Sequence, residues 1–180
     1  MKSVFEPYAG TKKMFKKEGL NIIPATSDDL GEIRDLKFAV YDELCPKLAN
    51  WYRKHMDVFE KEFKGPEEQD PEKRVFYSVR NLEDTLVGCG GLTQKDPKGS
   101  PWIGELMDIY LLKDCRGKGL GQVMIGDLIK KAKKLGFECL YLTTRKEFEA
   151  ATHIYQKFGF RQTENKKYSS KNSTAWEMQL

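Results

Sequence analysis

Ile109-Tyr-Leu-Leu-Lys-Asp-Cys-Arg-Gly-Lys-Gly-Leu-Gly-Gln122 passes from an apolar run, through a basic glycine-rich turn, into a pattern of helical period. The apolar part reads as a strand. Beyond the turn, Leu120, Met124, Leu128, Ala132 and Leu135 mark the buried stripe of a helix that Gly136 stops. Gly117, Gly119 and Gly121 have no Cβ, so their amides can turn inward and approach a ligand closely. A helix N-terminus leaves its first N–H groups unpaired and carries partial positive charge, which suits phosphate. Arg116 and Lys118 add full charges at the same place. Physically this is a strand–loop–helix cradle for an anion.

The rest of the chain bounds whose anion it is. With 180 residues, 39% hydrophobic and 32% charged, it reads as one soluble globular unit with a real core: a domain over 20–180, preceded by a Lys-rich extension over 1–19. A net charge of +4 does not by itself call for nucleic acid. Its distribution is uneven: 41–72 holds nine acidic and five basic side chains, and 113–134 seven basic and two acidic. That suits a cationic partner on one side and an anionic one on the other, with ordinary solvated helix faces as the alternative. Cys45, Cys89, Cys115 and Cys139 lack C-x-x-C spacing and paired histidines nearby, so they read as free thiols, with no metal site. The N-terminus has no continuous apolar stretch, and no segment is long enough to span a bilayer. The expected setting is the cytoplasm, with neither nucleic acid nor membrane as partner.

Pattern places a short helix around 11–18 and a strand over 20–25. A helix with Leu30, Ile33, Leu36, Phe38, Val40 and Leu44 on its stripe follows, ended by Pro46. A second helix is expected over 51–63, then a polar loop over 65–71 that suits mobility. Strands at 75–79 and 86–92 form a hairpin, and 102–112 is the strand feeding the cradle. After the cradle helix come a buried strand at 139–143, a helix over 146–158 with Phe148, Ala151, Tyr155 and Phe158 on one face, and closing strands at 160–163 and 174–180 around a polar hairpin. The order implies an α/β fold, one mixed sheet with helices on both faces.

Two nucleotide loops fail here. No glycine cluster supplies G-x-x-x-x-G-K-[ST], and the register Gly117-x-Gly119-x-Gly121 is not G-x-G-x-x-G. The next strand also ends Leu142-Thr-Thr144, with no carboxylate for a ribose. Arg116-x-x-Gly119-x-Gly121, by contrast, resembles the R/Q-x-x-G-x-G/A signature with which the GNAT superfamily of N-acetyltransferases binds acetyl-CoA pyrophosphate. Ala151-Thr-His-Ile-Tyr-Gln-Lys-Phe-Gly-Phe160 resembles that family's A-x-x-x-Y-x-K-x-G-F, and Glu105-Leu-Met-Asp-Ile-Tyr-Leu its E-L-x-x-[LI]-Y-V strand in small bacterial members. The likeness runs from about Leu20 to Leu180.

The resemblance implies a mostly antiparallel sheet with a splayed central parallel strand pair, and acetyl transfer to a primary amine of a small molecule or peptide in a ternary complex. It implies Arg116, Gly117, Lys118, Gly119, Leu120, Gly121 and Gln122 on the pyrophosphate, and Ile109, Tyr110 and Leu111 along the pantetheine arm, with a main-chain N–H near Ile109 on the thioester carbonyl. Tyr155 is the candidate to protonate the leaving thiolate, its other reading being plain core. Glu105, acting through water, is the first candidate base and Asp108 the second; strict alternation would put them on opposite faces unless a bulge intervenes. Many relatives carry Asn where this chain has Phe148, so Thr143 or Thr144 is expected to supply that cofactor contact. The acceptor side is expected from Phe38, Tyr41, Trp51, Tyr52, His55 and Phe59 with Asp42, Glu43, Asp57 and Glu60, a set suited to a polyamine-like cation. A homodimer is left open, and the rival class is a non-catalytic acyl-CoA-binding module.

Overall fold

Lys13–Phe15 (β1), Leu20–Pro24 (β2), Val75–Arg80 (β3), Leu86–Gln94 (β4), Ile103–Leu111 (β5), Cys139–Arg145 (β6), Arg161–Thr163 (β7) and Ser173–Gln179 (β8) form one sheet in the order β1-β2-β3-β4-β5-β6-β8-β7. The computed structural model describes residues 13–15, 19–62, 74–94, 102–163 and 172–180. Its helices are Leu30–Leu44 (α1), Pro46–Lys54 (α2), Met56–Glu62 (α3), Leu120–Lys134 (α4) and Glu149–Lys157 (α5). All neighbouring strands run antiparallel except β5 and β6. Their parallel ladder joins Ile103, Gly104 and Glu105 to Cys139, Leu140 and Tyr141, yet both strands continue for several residues beyond it. The central pair therefore parts. This is the mixed, mostly antiparallel sheet with a splayed parallel pair and helices on both faces that the resemblance implies.

Alternation sorts the strands between two cores. On one face, Tyr77, Val79, Leu106, Leu140, Leu142 and Trp176 meet α4 through Leu120, Met124, Ile125 and Leu128, and α5 through Tyr155. On the other, Phe76, Leu86 and Cys89 meet Ile33 and Leu36 of α1. Two polar ties fix these helices. Asp29, just before α1, accepts hydrogen bonds from the Thr26 amide (2.9 Å) and Ser78 Oγ (2.9 Å) and an ion pair from Arg80 (2.5 Å). Tyr77 Oη donates to Asp127 Oδ2 in mid-α4 at 2.8 Å. Among the described residues no helix is long and apolar enough to cross a membrane.

Three expectations are corrected. The described part of the 11–18 stretch, Lys13–Phe15, is a strand paired with β2 across a turn at Gly19 (φ +69°); an eight-residue helix is too short to nucleate alone, whereas the edge of β2 offers hydrogen bonds. Pro46 follows the end of α1 as expected and also opens α2, because its missing N–H falls at a position unpaired in any helix. The expected 51–63 helix is two, α2 and α3, broken at His55 (φ −132°, ψ 55°). The last helix starts at Glu149, with Phe148 at its non-helical cap. The 65–71 loop and most of the final hairpin turn lie outside the described residues.

Candidate active site

Where β5 and β6 part, a cavity of about 420 Å³ opens between them. Its wall draws on both faces of the sheet: Leu106, Ile109, Ala151 and Tyr155 from the α4/α5 side, and Tyr41, Met107 and Tyr110 from the α1 side. Glu105, one pleat from Met107 on the same face, lines it as well, as do Thr143 and Thr144. The passage through the sheet exists because β5 carries a bulge. Cys89 pairs with Tyr110 but Gly91 pairs with Met107, so Asp108 and Ile109 together face Gly90. Asp108 sits there in the left-handed region, φ +50°. Both carboxylates consequently reach one cavity.

Tyr155 is 5% exposed, stacked edge-on against Phe160 at 5.8 Å. Among the described residues its hydroxyl has no hydrogen-bond partner, and burial alone raises its pKa above the ordinary phenol value. The phenol is a protonated donor facing the cavity.

The glycine-rich loop closes the same end of β5. Gly117 and Gly119 have φ of +75° and +83°, which a side chain rarely adopts, and Gly119 caps α4. Space does not demand glycine at either position, since an added Cβ would meet nothing within 4 Å. Gly121 differs: a Cβ would press on Ile154 Cδ1 at 3.3 Å, so it serves helix packing. The first amides of α4 have no intrahelical partner and lie at the loop.

The acetyltransferase (GNAT) family model matches residues 37–160, from α1 through α5. The chain belongs to the acetyltransferase (GNAT) family. It is an acyltransferase. It is 29% identical over 130 residues to an uncharacterized N-acetyltransferase of Schizosaccharomyces pombe, covering 72% of this chain and 68% of that one. To YjgM, an uncharacterized N-acetyltransferase of Escherichia coli, it is 33% identical over 84 residues, 47% of this chain and 50% of that one. Among solved structures, the PaiA N-acetyltransferase of Thermoplasma acidophilum in complex with coenzyme A superposes with a TM-score of 0.68 at 16% identity, over 89% of this chain and 99% of that one. A GNAT-family acetyltransferase of Staphylococcus aureus Mu50 gives 0.67 at 17%, over the same shares. At such identities the likeness speaks for the fold.

Within this GNAT chain the expected residues separate. Glu105, Ile109, Tyr110, Thr144 and Tyr155 share the cavity wall. Leu111 does not; its carbonyl accepts from Arg116 Nε at 2.8 Å. None of 116–122 lines the cavity, and Leu120, 1% exposed, gives its side chain to the core. Arg116 does not offer its guanidinium to a phosphate here: both terminal nitrogens hold Glu43 of α1 at 2.9 Å.

The acceptor side departs most from expectation. Tyr41 and Tyr52 line the cavity, but Phe38, Trp51, His55 and Phe59 do not, and neither does any of the four proposed carboxylates. Arg53 takes Asp42 through two bonds of 2.7 and 2.6 Å, Arg116 takes Glu43, and Glu60 lies 3.9 Å from Arg34. Three of these four carboxylates, Asp42, Glu43 and Glu60, thus face an arginine of the fold. Phe148, in place of the usual Asn, joins Tyr41 and Tyr110 in an aromatic wall (centroids 6.4 and 6.2 Å). The Tyr41 and Tyr110 hydroxyls bond each other at 3.0 Å. Sequence reading missed Arg145 and Ser173 on the wall, and Lys37 behind it. Lys37 left a trace: it lies four residues after Ile33 and four before Tyr41, on a row that is otherwise buried and apolar.

Proposed function

We propose that this chain moves an acetyl group from acetyl-CoA to a primary amine by direct attack in a ternary complex. The observation that carries this reading is the single cavity reaching both faces of the sheet, with Tyr155 entering from one and Glu105 from the other. The PaiA neighbour's complex with coenzyme A supports the donor. In this reading the main-chain N–H groups of 116–122 hold the pyrophosphate. Ile109 and Tyr110 run beside the pantetheine arm, with Thr144 on the opposite strand. The catalytic unit is 20–180, and its four free thiols suit the reducing cytoplasm.

The amine lone pair attacks the thioester carbon, and the N–H at Ile109 steadies the developing oxyanion. As the C–S bond breaks, the thiolate takes the Tyr155 proton, the amine's surplus proton leaves through Glu105 to water, and a proton from water restores Tyr155. With ordinary values near ~10 for phenol and ~8.5 for thiol, that transfer is uphill by about 2 kcal/mol. Burial raises the phenol's proton affinity further, so the transfer needs the thiolate in direct hydrogen-bond contact with Tyr155.

A panel of amines, followed by free-thiol release from acetyl-CoA, tests the proposal. At least one amine should accelerate release at least tenfold over hydrolysis, with N-acetyl product. Tight acetyl-CoA binding without release by any amine would instead make the chain a non-catalytic acyl-CoA-binding module.

A further inference from the structure

β5 alternates regularly up to Met107 and resumes one residue late. Leu106 and Ile109 both pack towards α4 and α5, whereas Met107 and Tyr110 both face α1. Asp108 is the inserted residue, and its φ of +50° lies in the left-handed region that side-chain-bearing residues disfavour. Contacts from α1 and β4 hold it there. Lys37 Nζ of α1 donates to Asp108 Oδ1 at 3.0 Å, with the two side chains only 8% and 10% exposed. Cys89 Sγ of β4 donates to the Asp108 carbonyl at 3.2 Å. Opposite, Gly90 admits the bulge closely: an added Cβ would lie 3.0 Å from Met124 Cε and 3.2 Å from Ile109 Cγ1.

The ammonium of Lys37 is walled by the rings of Tyr41, Phe59 and Tyr110, with centroids 5.8, 5.3 and 5.7 Å away. Burial works against its charge, but the Asp108 carboxylate, joined by Tyr41 and Cys89, outweighs this and keeps it protonated. A buried ion pair adds little net stability over apolar packing of the same volume, so its presence beside the reacting centre points to geometry instead. The pair engages Asp108 through Oδ1.

We propose that Lys37 is a positioning residue for acetyl transfer: through Asp108 it locks the β5 bulge, and so aims the main chain at Ile109 into the gap between β5 and β6. This rests on the acetyl-CoA reading above. The conformation that Lys37 enforces is one that glycine adopts freely, which supplies the test.

Lys37→Met, Asp108→Gly and the double variant are compared by the infrared carbonyl band of isotope-labelled acetyl-CoA bound to each, and by kcat and KM. In the wild-type protein the bound thioester carbonyl should absorb at lower frequency than in free acetyl-CoA. Lys37→Met should lose most of that shift and about 100-fold in kcat, the scale of one oxyanion donor, with KM for acetyl-CoA within threefold. In the double variant glycine keeps the bulge without the ion pair, and both shift and kcat should return to within tenfold of wild type. An unchanged shift in Lys37→Met overturns the proposal. So does a double variant as impaired as Lys37→Met, because Asp108 would then act chemically. If Lys37→Met fails to fold, the comparison moves to Asp108→Gly with and without Lys37: equal spectra support the clamp and a further loss overturns it. Absence of acetyl-CoA binding to the wild-type protein removes the proposed function and this inference with it, whereas normal binding without dependence on Lys37 removes the inference alone.

Discussion

Tyr155 belongs to a packed stripe and to a cavity wall at once. Its ring fills space beside Phe160 and the α4 core, as the spacing with Ala151 and Phe158 suggests for any amphipathic helix. Its hydroxyl has no partner among the described residues, and that separates the two roles. A purely structural tyrosine at 5% exposure would normally satisfy its O–H. Tyr155→Phe keeps the ring and removes only the donor. We expect kcat to fall by about 100-fold with KM for acetyl-CoA within threefold and little change in Tm. A kcat within threefold of wild type would return Tyr155 to the core. Burial pushes the phenol's pKa up, so no loss of activity from its ionisation is expected in the ordinary working range.

At the scale of elements, the bidentate Arg116–Glu43 pair ties the glycine-rich loop to α1, the helix that also carries Lys37 and Tyr41. The side chain that looks in sequence like a phosphate ligand braces the loop through Glu43 and the Leu111 carbonyl. Lysine lacks the planar fork that this geometry uses. Glu43→Gln and Arg116→Lys should therefore each raise the Kd for acetyl-CoA by about three- to tenfold, and the double variant should be no worse than either, since both act through one bridge. Titration of the three variants by calorimetry checks this. Tighter binding in Glu43→Gln would mean that Glu43 holds Arg116 back from the phosphates, and the bracing role would fall.

At the scale of the whole molecule, a buried polar cluster around Asp29 ties the start of α1 to the sheet. Burial raises the pKa of Asp29, but the Thr26 amide, Arg80 and Ser78 together outweigh it and hold the carboxyl below the ordinary range. A depressed folded pKa stabilises above the unfolded value, near 3.9, and that contribution is lost as pH falls through the folded value. Asp29→Asn should lower Tm at pH 7 by about 4–8 °C, corresponding to about 2 kcal/mol in a chain of this size. The gap between variant and wild type should narrow below about pH 4. Thermal melts from pH 7 to pH 3 read it directly, and a gap independent of pH would exclude the charge as its source.

What the sequence determined by itself is local and periodic. The loop at 116–122 between a strand and a helix follows from glycine, charge and hydrophobic period, all properties of neighbouring residues. The helix carrying Tyr155 and the succession of β2 to β8 along the chain follow in the same way. Tertiary structure decided what depends on residues distant in the chain. The Asp108 bulge is a misfit between β4 and β5, and no single strand pattern displays it. Lys37 finds its carboxylate 71 residues away, and Glu43 finds Arg116 after 73. Charge in an acidic segment cannot reveal whether it faces a ligand or an arginine, because pairing is set by which helices meet. The glycine-rich loop is legible because neighbouring glycines and charges build it, and the charge of the 41–60 stretch is not, because partners brought from afar determine it.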